Sequence, residues 1–231
     1  MKIKDYKTKV FIENENLILF IEKYIKSFSS GSILVITSKI VALSEGRTAL
    51  IVNENTREEI IKKESEWAIR TPYAWLTKKD GMIMASAGVD ESNADGKLIL
   101  LPKDSFKSAK SIRDFFVKKY NLGNFGVIIT DSRTMPLRAG VIGLAIGYVG
   151  FKGIRDYRGT FDIFNRKLKM TRTDVVDCLA AAAVLCMGEG NEKKPLALIT
   201  NAPVEWSNKI NKKELLIEPE DDLYAPFFKN L

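Results

Sequence analysis

The sequence predicts an α/β (α+β) fold in which mixed β-sheets carry flanking helices, and three observations point there. Unbroken apolar runs such as Ile33-Leu34-Val35-Ile36, Gly126-Val127-Ile128-Ile129-Thr130 and Leu196-Ala197-Leu198-Ile199 read as buried strands. Between them lie segments whose apolar residues recur at helical spacing. Two strand candidates then run into polar segments bearing aspartate at their carboxyl ends, where α/β folds place their ligands.

Taken in order, Leu17, Phe20, Ile21, Tyr24 and Ile25 share one helical stripe, and Gly31 breaks that helix before the strand 33–36, which ends at Thr37-Ser38-Lys39. A further helix is expected near 58–63, and residues 67–80 read as a loop. Met82-Ile83-Met84-Ala85 is the next strand. It opens into Ala87-Gly88-Val89-Asp90-Glu91-Ser92-Asn93 and is followed by Leu98-Ile99-Leu100-Leu101, closed by Pro102. Residues 105–120 form an amphipathic helix with Ile112, Phe115 and Phe116 on its apolar face and Arg113, Lys118 and Lys119 on its wet one. The strand 126–130 delivers Asp131-Ser132. Glycines at 140, 143, 147, 150 and 153 mark strands whose backbones approach closely, with room for a ligand as the weaker reading. Thr173 is placed to cap a helix whose first turn carries Asp174 and Asp177. That helix is rich in alanine over 179–187 and stops at Gly188; the polar loop 189–194 and Pro195 lead into the last strand, 196–199.

Composition bounds the function. The 231 residues, 45% hydrophobic and 28% charged, suffice for one large domain or two small interlocked ones. Lys and Arg exceed Asp and Glu by 36 to 29, which favours anionic partners: nucleotides, anionic metabolites or nucleic acid. The lysines are dispersed (Lys2, Lys4, Lys7, Lys9; Lys62, Lys63; Lys118, Lys119), as on solvated surfaces, so a nucleic-acid partner is not expected. With no histidine and no paired-cysteine motif, zinc, haem and iron–sulfur sites are disfavoured. Cys178 and Cys186 lie eight residues apart on one expected helix. The rise of about 12 Å between them is beyond disulfide reach, so both read as core thiols in a reducing compartment. The charged N-terminus and the lack of any long apolar run predict a cytoplasmic protein with no membrane partner.

The remaining chemistry is that of hard cations and phosphate. Asp90, Asp131, Ser132 and Glu189 offer the oxygen ligands that Mg²⁺ or Mn²⁺ takes together with substrate phosphates. Lys39 at a strand end suits a phosphate, and the loop 188–194 offers backbone N–H groups and two ammoniums. Aspartate after a strand is also ordinary turn chemistry. Neither a Walker-type glycine loop nor a dinucleotide fingerprint is present, so a nucleotide site here is of another kind.

From about Ser32 to Ile199 the chain resembles the coenzyme F420 gamma-glutamyl ligase family. The resemblance rests on Thr37-Ser38-Lys39-Ile40-Val41-Ala42-Leu43-Ser44-Glu45-Gly46, on residues 87–93, and on Thr130-Asp131-Ser132 with Pro136 and Arg138. Gly143-Leu144-Ala145-Ile146-Gly147, and Met187-Gly188-Glu189 with Glu192 and Pro195, complete it. It implies one gamma-glutamyl ligase-like domain over 1–231, with its core at about 32–199, and a homodimer. It also implies GTP as co-substrate, Mg²⁺ or Mn²⁺ as cofactor, and the joining of L-glutamate, through its amine, to a carboxylate acceptor by way of an acyl phosphate. By the same resemblance Lys39, Asp90 and Asp131 are catalytic, and Asp90, Asp131, Ser132 and Glu189 hold metal. Ser38, Lys39, Asn93, Met187, Gly188, Glu189, Gly190, Asn191, Lys193 and Lys194 contact nucleotide.

Two departures stand out. Where the family commonly has a Gly-Arg-Pro turn this chain has Arg133-Thr134-Met135-Pro136, and residues 67–80 lack the histidine often found there. Both are read as peripheral to the metal aspartates, so they bear on the acceptor acid more than on the reaction, and an acceptor other than the deazaflavin coenzyme is the favoured expectation. The competing reading is a non-catalytic homologue that binds nucleotide and metal as a sensor or scaffold.

Overall fold

Residues 33–36 are apolar without interruption because the strand they form is covered on both faces. In the computed structural model, which describes residues 1–51 and 53–228, Leu34 and Ile36 join one buried cluster while Ile33 and Val35 join another. The N-terminal part of the chain runs β1 (Lys2–Tyr6), α1 (Leu17–Tyr24), β2 (Ser32–Thr37), α2 (Ser38–Ser44), β3 (Thr48–Leu50) and α3 (Glu54–Lys63). A three-stranded sheet follows, β4 (Trp67–Arg70), β5 (Trp75–Lys79) and β6 (Met82–Ala85), then β7 (Lys97–Ile99) and α4 (Ser105–Tyr120). The long strands β8 (Phe125–Thr134) and β9 (Val141–Phe151) precede the short pair β10 (Ile154–Asp156) and β11 (Arg172–Asp174). The chain continues through α5 (Val175–Met187), β12 (Leu196–Thr200), β13 (Trp206–Ser207) and α6 (Ala225–Phe228).

The main sheet has the order β1-β12-β2-β8-β9-β13, with β2 and β8 parallel and the other pairs antiparallel. Apolar residues of α1, α2 and α4, among them Phe20, Ile21, Val41, Ile112 and Phe116, cover one face. Val176, Leu179, Ala180, Ala183 and Met187 of α5 cover the other. This is the expected mixed α/β arrangement.

The strand pairing places the chemistry. Because β2 and β8 run parallel in the register Thr37↔Thr130, Ser38-Lys39 and Asp131-Ser132 emerge side by side. Antiparallel β12, paired Leu196↔Ile36, brings the loop 188–195 to the same end, and the Thr37 N–H donates to the Pro195 carbonyl at 3.0 Å.

Several expectations need correction. Strand β8 does not stop at Thr130; it continues through Thr134 and carries Asp131 and Ser132 within the ladder. Ser38 and Lys39, read as the end of a strand, instead open α2, and much of 67–80, read as loop, pairs as the β4–β5 hairpin. Phe115 is exposed, whereas Arg113 is half-buried and donates to the Phe125 carbonyl. Asp174, not Thr173, caps α5 by accepting the Asp177 N–H at 3.0 Å. Cys178 and Cys186 are both exposed on α5, not core residues: i and i+8 point to the same side, and that side faces away from the sheet.

Glycine density in β9 follows from close approach. A bulge opposite Ile129 and Thr130 puts Ile146 and Gly147 on the α4 face and leaves Gly143 and Ala145 toward α5. A Cβ on Gly147 would sit 2.5 Å from the carbonyl carbon of Ser105 and 2.6 Å from its oxygen, atoms of the α4 backbone that cannot swing aside. Gly147→Ala is therefore expected to destabilise the protein by roughly 3 kcal/mol. Gly123→Ala, which meets only Ser30 Oγ at 3.6 Å, should change little, and urea unfolding of the two variants compares them.

At the same bulge the Ala145 N–H donates to Asp177 Oδ1 at 2.8 Å. Burial, reinforced by neighbouring Asp174, pushes the Asp177 carboxyl up to about 7. The folded state thus holds a proton that the unfolded chain releases near 3.8, and stability falls as pH rises through that window and stays lower above it. Asp177→Asn keeps the acceptor and removes the titration. It is expected to be more stable than wild type at pH 8, by an upper range on the order of 2–4 kcal/mol, and little different at pH 4. Thermal melts across that range decide; parallel pH profiles would contradict the assignment.

Candidate active site

A cavity of about 440 Å³ opens at this end of the sheet. Lined by Ser38, Lys39, Asp90, Asn93, Asp131, Ser132, Met187, Gly188, Glu189, Gly190, Asn191, Lys193 and Lys194, it gathers every site residue expected from the sequence. Four separate segments supply them: the start of α2, the turn after β6, the bulged part of β8, and the loop after α5.

The turn after β6 is built under strain. Ser86 and Ala87 both take left-handed backbone angles, φ 49 and 54, which side chains disfavour by roughly 1–2 kcal/mol each. Thr77 holds them: its hydroxyl accepts the Ala87 N–H at 2.7 Å and donates to the Met84 carbonyl at 2.8 Å. At Gly88 (φ +70) a Cβ would lie 2.7 Å from the Leu101 side chain. The chain then pairs with β7 through a reciprocal Asp90–Ile99 bridge, so the backbone of Asp90 is fixed.

Each central aspartate is held by a cation. Lys39 Nζ donates to Asp90 Oδ2 at 2.9 Å, to the Ser92 carbonyl at 2.7 Å and to Ser92 Oγ at 3.0 Å, while Asp90 Oδ1 accepts the Ser92 N–H at 2.7 Å. Burial raises the Asp90 carboxyl, but the Lys39 and Ser92 hydrogen bonds outweigh it and hold the group below its usual range. Ser38 Oγ donates to Asp131 Oδ1 at 3.0 Å, and Arg133 Nη1 binds Asp131 Oδ2 directly. On the opposite face of β8, Ser132 Oγ meets Glu189 Oε1 and Oε2 at 2.7 and 2.8 Å. Of the two loop ammoniums, Lys194 is committed to Asp5 at 2.7 Å.

Sequence reading missed two parts. Residues 8–11 line the cavity because β1 pairs with β12 and the Thr8 N–H donates to the Lys193 carbonyl at 2.8 Å; Lys9, read as a scattered surface lysine, lies at this wall. Arg133, read as peripheral, is buried against Asp131, and desolvation pushes its guanidinium down to about 10. Its position two residues after Asp131 in a strand would have shown that both share a face, had the strand not been ended at Thr130.

Among the described residues no group of three His, Cys, Asp or Glu side chains gathers closely enough to hold a metal by itself. Magnesium commonly binds through one or two carboxylates with waters and substrate phosphates completing the shell. The donors here, carboxylates and a hydroxyl contributed by separate segments around one cavity, fit that mode rather than an all-protein cage.

Together, fold and cavity define a mixed α/β protein with a small-molecule pocket of carboxylate, hydroxyl and ammonium groups. The chain belongs to the F420-0:Gamma-glutamyl ligase family, whose model matches residues 5–201. It is 36% identical over 230 residues to a coenzyme F420:L-glutamate ligase of Methanococcus maripaludis strain C7, covering 92% of this chain and 91% of that protein. A protein of the same description from Methanococcus maripaludis strain S2 is 40% identical over 168 residues, 72% of this chain and 67% of its own length. One from Methanocaldococcus jannaschii is 33% identical over 228 residues, 91% and 90% of the two chains. The family match extends beyond the 32–199 core at its amino end and takes in the last two residues of β1 and the cavity wall that follows it.

Proposed function

We propose that this chain is a GTP- and divalent-cation-dependent amide ligase that joins L-glutamate, through its amine, to a carboxylate of a deazaflavin coenzyme. The observation that carries the reading is the convergence of Lys39, Asp90, Asp131, Ser132 and Glu189 on one cavity in a chain of this family. The name borne by relatives aligned over nine-tenths of the chain favours coenzyme F420 as acceptor over another acid.

In this reading the acceptor carboxylate attacks the γ-phosphoryl group of GTP, giving an acyl phosphate and GDP. The glutamate amine then attacks the acyl carbon, loses its proton and expels inorganic phosphate as the amide forms. Lys39 would balance charge on the transferring phosphoryl group, and the N–H groups of 188–194 would orient the nucleotide. Asp90, Asp131, Ser132 and Glu189 would hold Mg²⁺ or Mn²⁺, which would supply charge neutralisation at the phosphate oxygens. A protein nucleophile is not required.

A homodimer in the cytoplasm completes the proposal. Its support is apolar exposure: Phe161, Ile163, Phe164 and Met170 between β10 and β11 are 66%, 90%, 72% and 85% accessible. Among the described residues no helix is long and apolar enough to cross a membrane. The test is a mass-resolved assay of purified protein with GTP, Mg²⁺ or Mn²⁺, L-glutamate and the deazaflavin acceptor. A product heavier by one glutamyl unit, lost on omission of any component, is expected. Inertness with this acceptor but glutamate-dependent phosphate release with another acid would move the substrate, and nucleotide binding without turnover on any acid would favour the sensor.

A further inference from the structure

Arg133 presents a donor pattern that the described residues leave unanswered. Its side chain is only 6% accessible, and Nη1 is taken by Asp131 and by the Ser132 carbonyl at 3.2 Å. Nε and Nη2 are buried and meet no hydrogen-bond partner among the described residues. These two nitrogens form one edge of the guanidinium, the planar fork that matches two oxygens of a carboxylate or phosphate. Buried charged donors without acceptors oppose folding, so their retention at a cavity wall calls for an acceptor from outside the chain.

We propose, resting on the ligase reading, that Arg133 is a specificity-determining residue whose free Nε–Nη2 edge receives a two-oxygen anionic group of one substrate at the Asp131 end of the cavity. The single Asp131 carboxylate engages only one corner of the guanidinium and is shared with Ser38. The Nε–Nη2 edge is closed to water in the ligand-free fold, so an incoming oxyanion engages it as the guanidinium, which lines the cavity, turns outward about its Nη1–Asp131 contact. A lysine here would keep the positive charge beside Asp131 and lose the fork.

The test is calorimetric binding of three separate probes to the purified full chain: a non-hydrolysable GTP analogue with Mg²⁺, L-glutamate, and the deazaflavin acceptor. Wild type, Arg133→Lys and Arg133→Met are compared, with circular dichroism reporting the fold. One probe should weaken about 10- to 100-fold in both variants, with the others nearly unchanged. Loss in the nucleotide arm that persists when Mg²⁺ is omitted identifies a phosphate, and loss confined to the Mg²⁺ form, which acts through Asp131, overturns the proposal; loss in either other arm identifies a carboxylate. Unchanged binding of all three by folded Arg133→Lys would overturn the proposal while leaving the ligase reading intact. Wild type that binds none of the probes would end both. Should the variants misfold, ¹⁵N-arginine-labelled wild type gives the answer: no arginine Nε–H resonance moving with any bound probe overturns the proposal.

Discussion

Asp131→Asn is expected to lower cation-dependent GTP turnover at least ~100-fold, and Asp90→Asn to do the same, because in the proposed reaction each removes a full negative charge from the site that would hold the cation against phosphate. The two variants differ in stability. Asparagine at 90 can still accept the Ser92 N–H, and Lys39 keeps both Ser92 oxygens, so melting should barely move. Asparagine at 131 leaves Arg133 buried without its counter-ion, a loss of about 3–5 kcal/mol in comparable pairs. Adding Arg133→Met should recover stability without recovering turnover. Turnover retained in folded Asp90→Asn and Asp131→Asn would remove the metal assignment.

Lys39→Ala should lower kcat/KM for GTP by roughly 100-fold or more, because in the proposed reaction it removes the charge that balances the transferring phosphoryl group. It should also free Asp90 from its only ion-pair partner among the described residues. The controls lie on α4: Lys118 is exposed, and Lys119 pairs with Glu22 at 2.6 Å. Neither lines the cavity, so Lys118→Ala and Lys119→Ala should leave steady-state kinetics within about twofold, surface substitutions away from such features being small in effect. Equal losses in all three variants would reduce the basic site to general electrostatics.

Strands buried on both faces left an unmistakable trace in the sequence, and so did helices with one apolar stripe. Thus β2, α4, β12 and the Gly188 stop of α5 were legible. The polar edges of the fold were not. In β1 alternating lysines interrupt the apolar pattern, and β4–β5 carries Arg70, Lys78 and Lys79 on a sheet with a wet face, so local composition resembles loop. Asp131 was found from its place after an apolar run, yet the run's apparent end concealed that pairing with β9 continues to Thr134. Arg133 was misplaced for that reason alone. Lys9 and its neighbours became visible only through long-range pairing, since nothing local connects residue 8 with residue 193.

Direct transfer of oxygen tests the central claim, that this cavity activates a carboxylate through phosphoryl transfer before amide formation. With the acceptor carboxylate labelled with ¹⁸O, GTP, the divalent cation and L-glutamate, phosphate released by the wild-type protein should carry one ¹⁸O per amide formed, because the bridging oxygen leaves with phosphorus. Amide formation with unlabelled phosphate would contradict the acyl phosphate route. Release of unlabelled phosphate with no amide would contradict the ligase reading altogether.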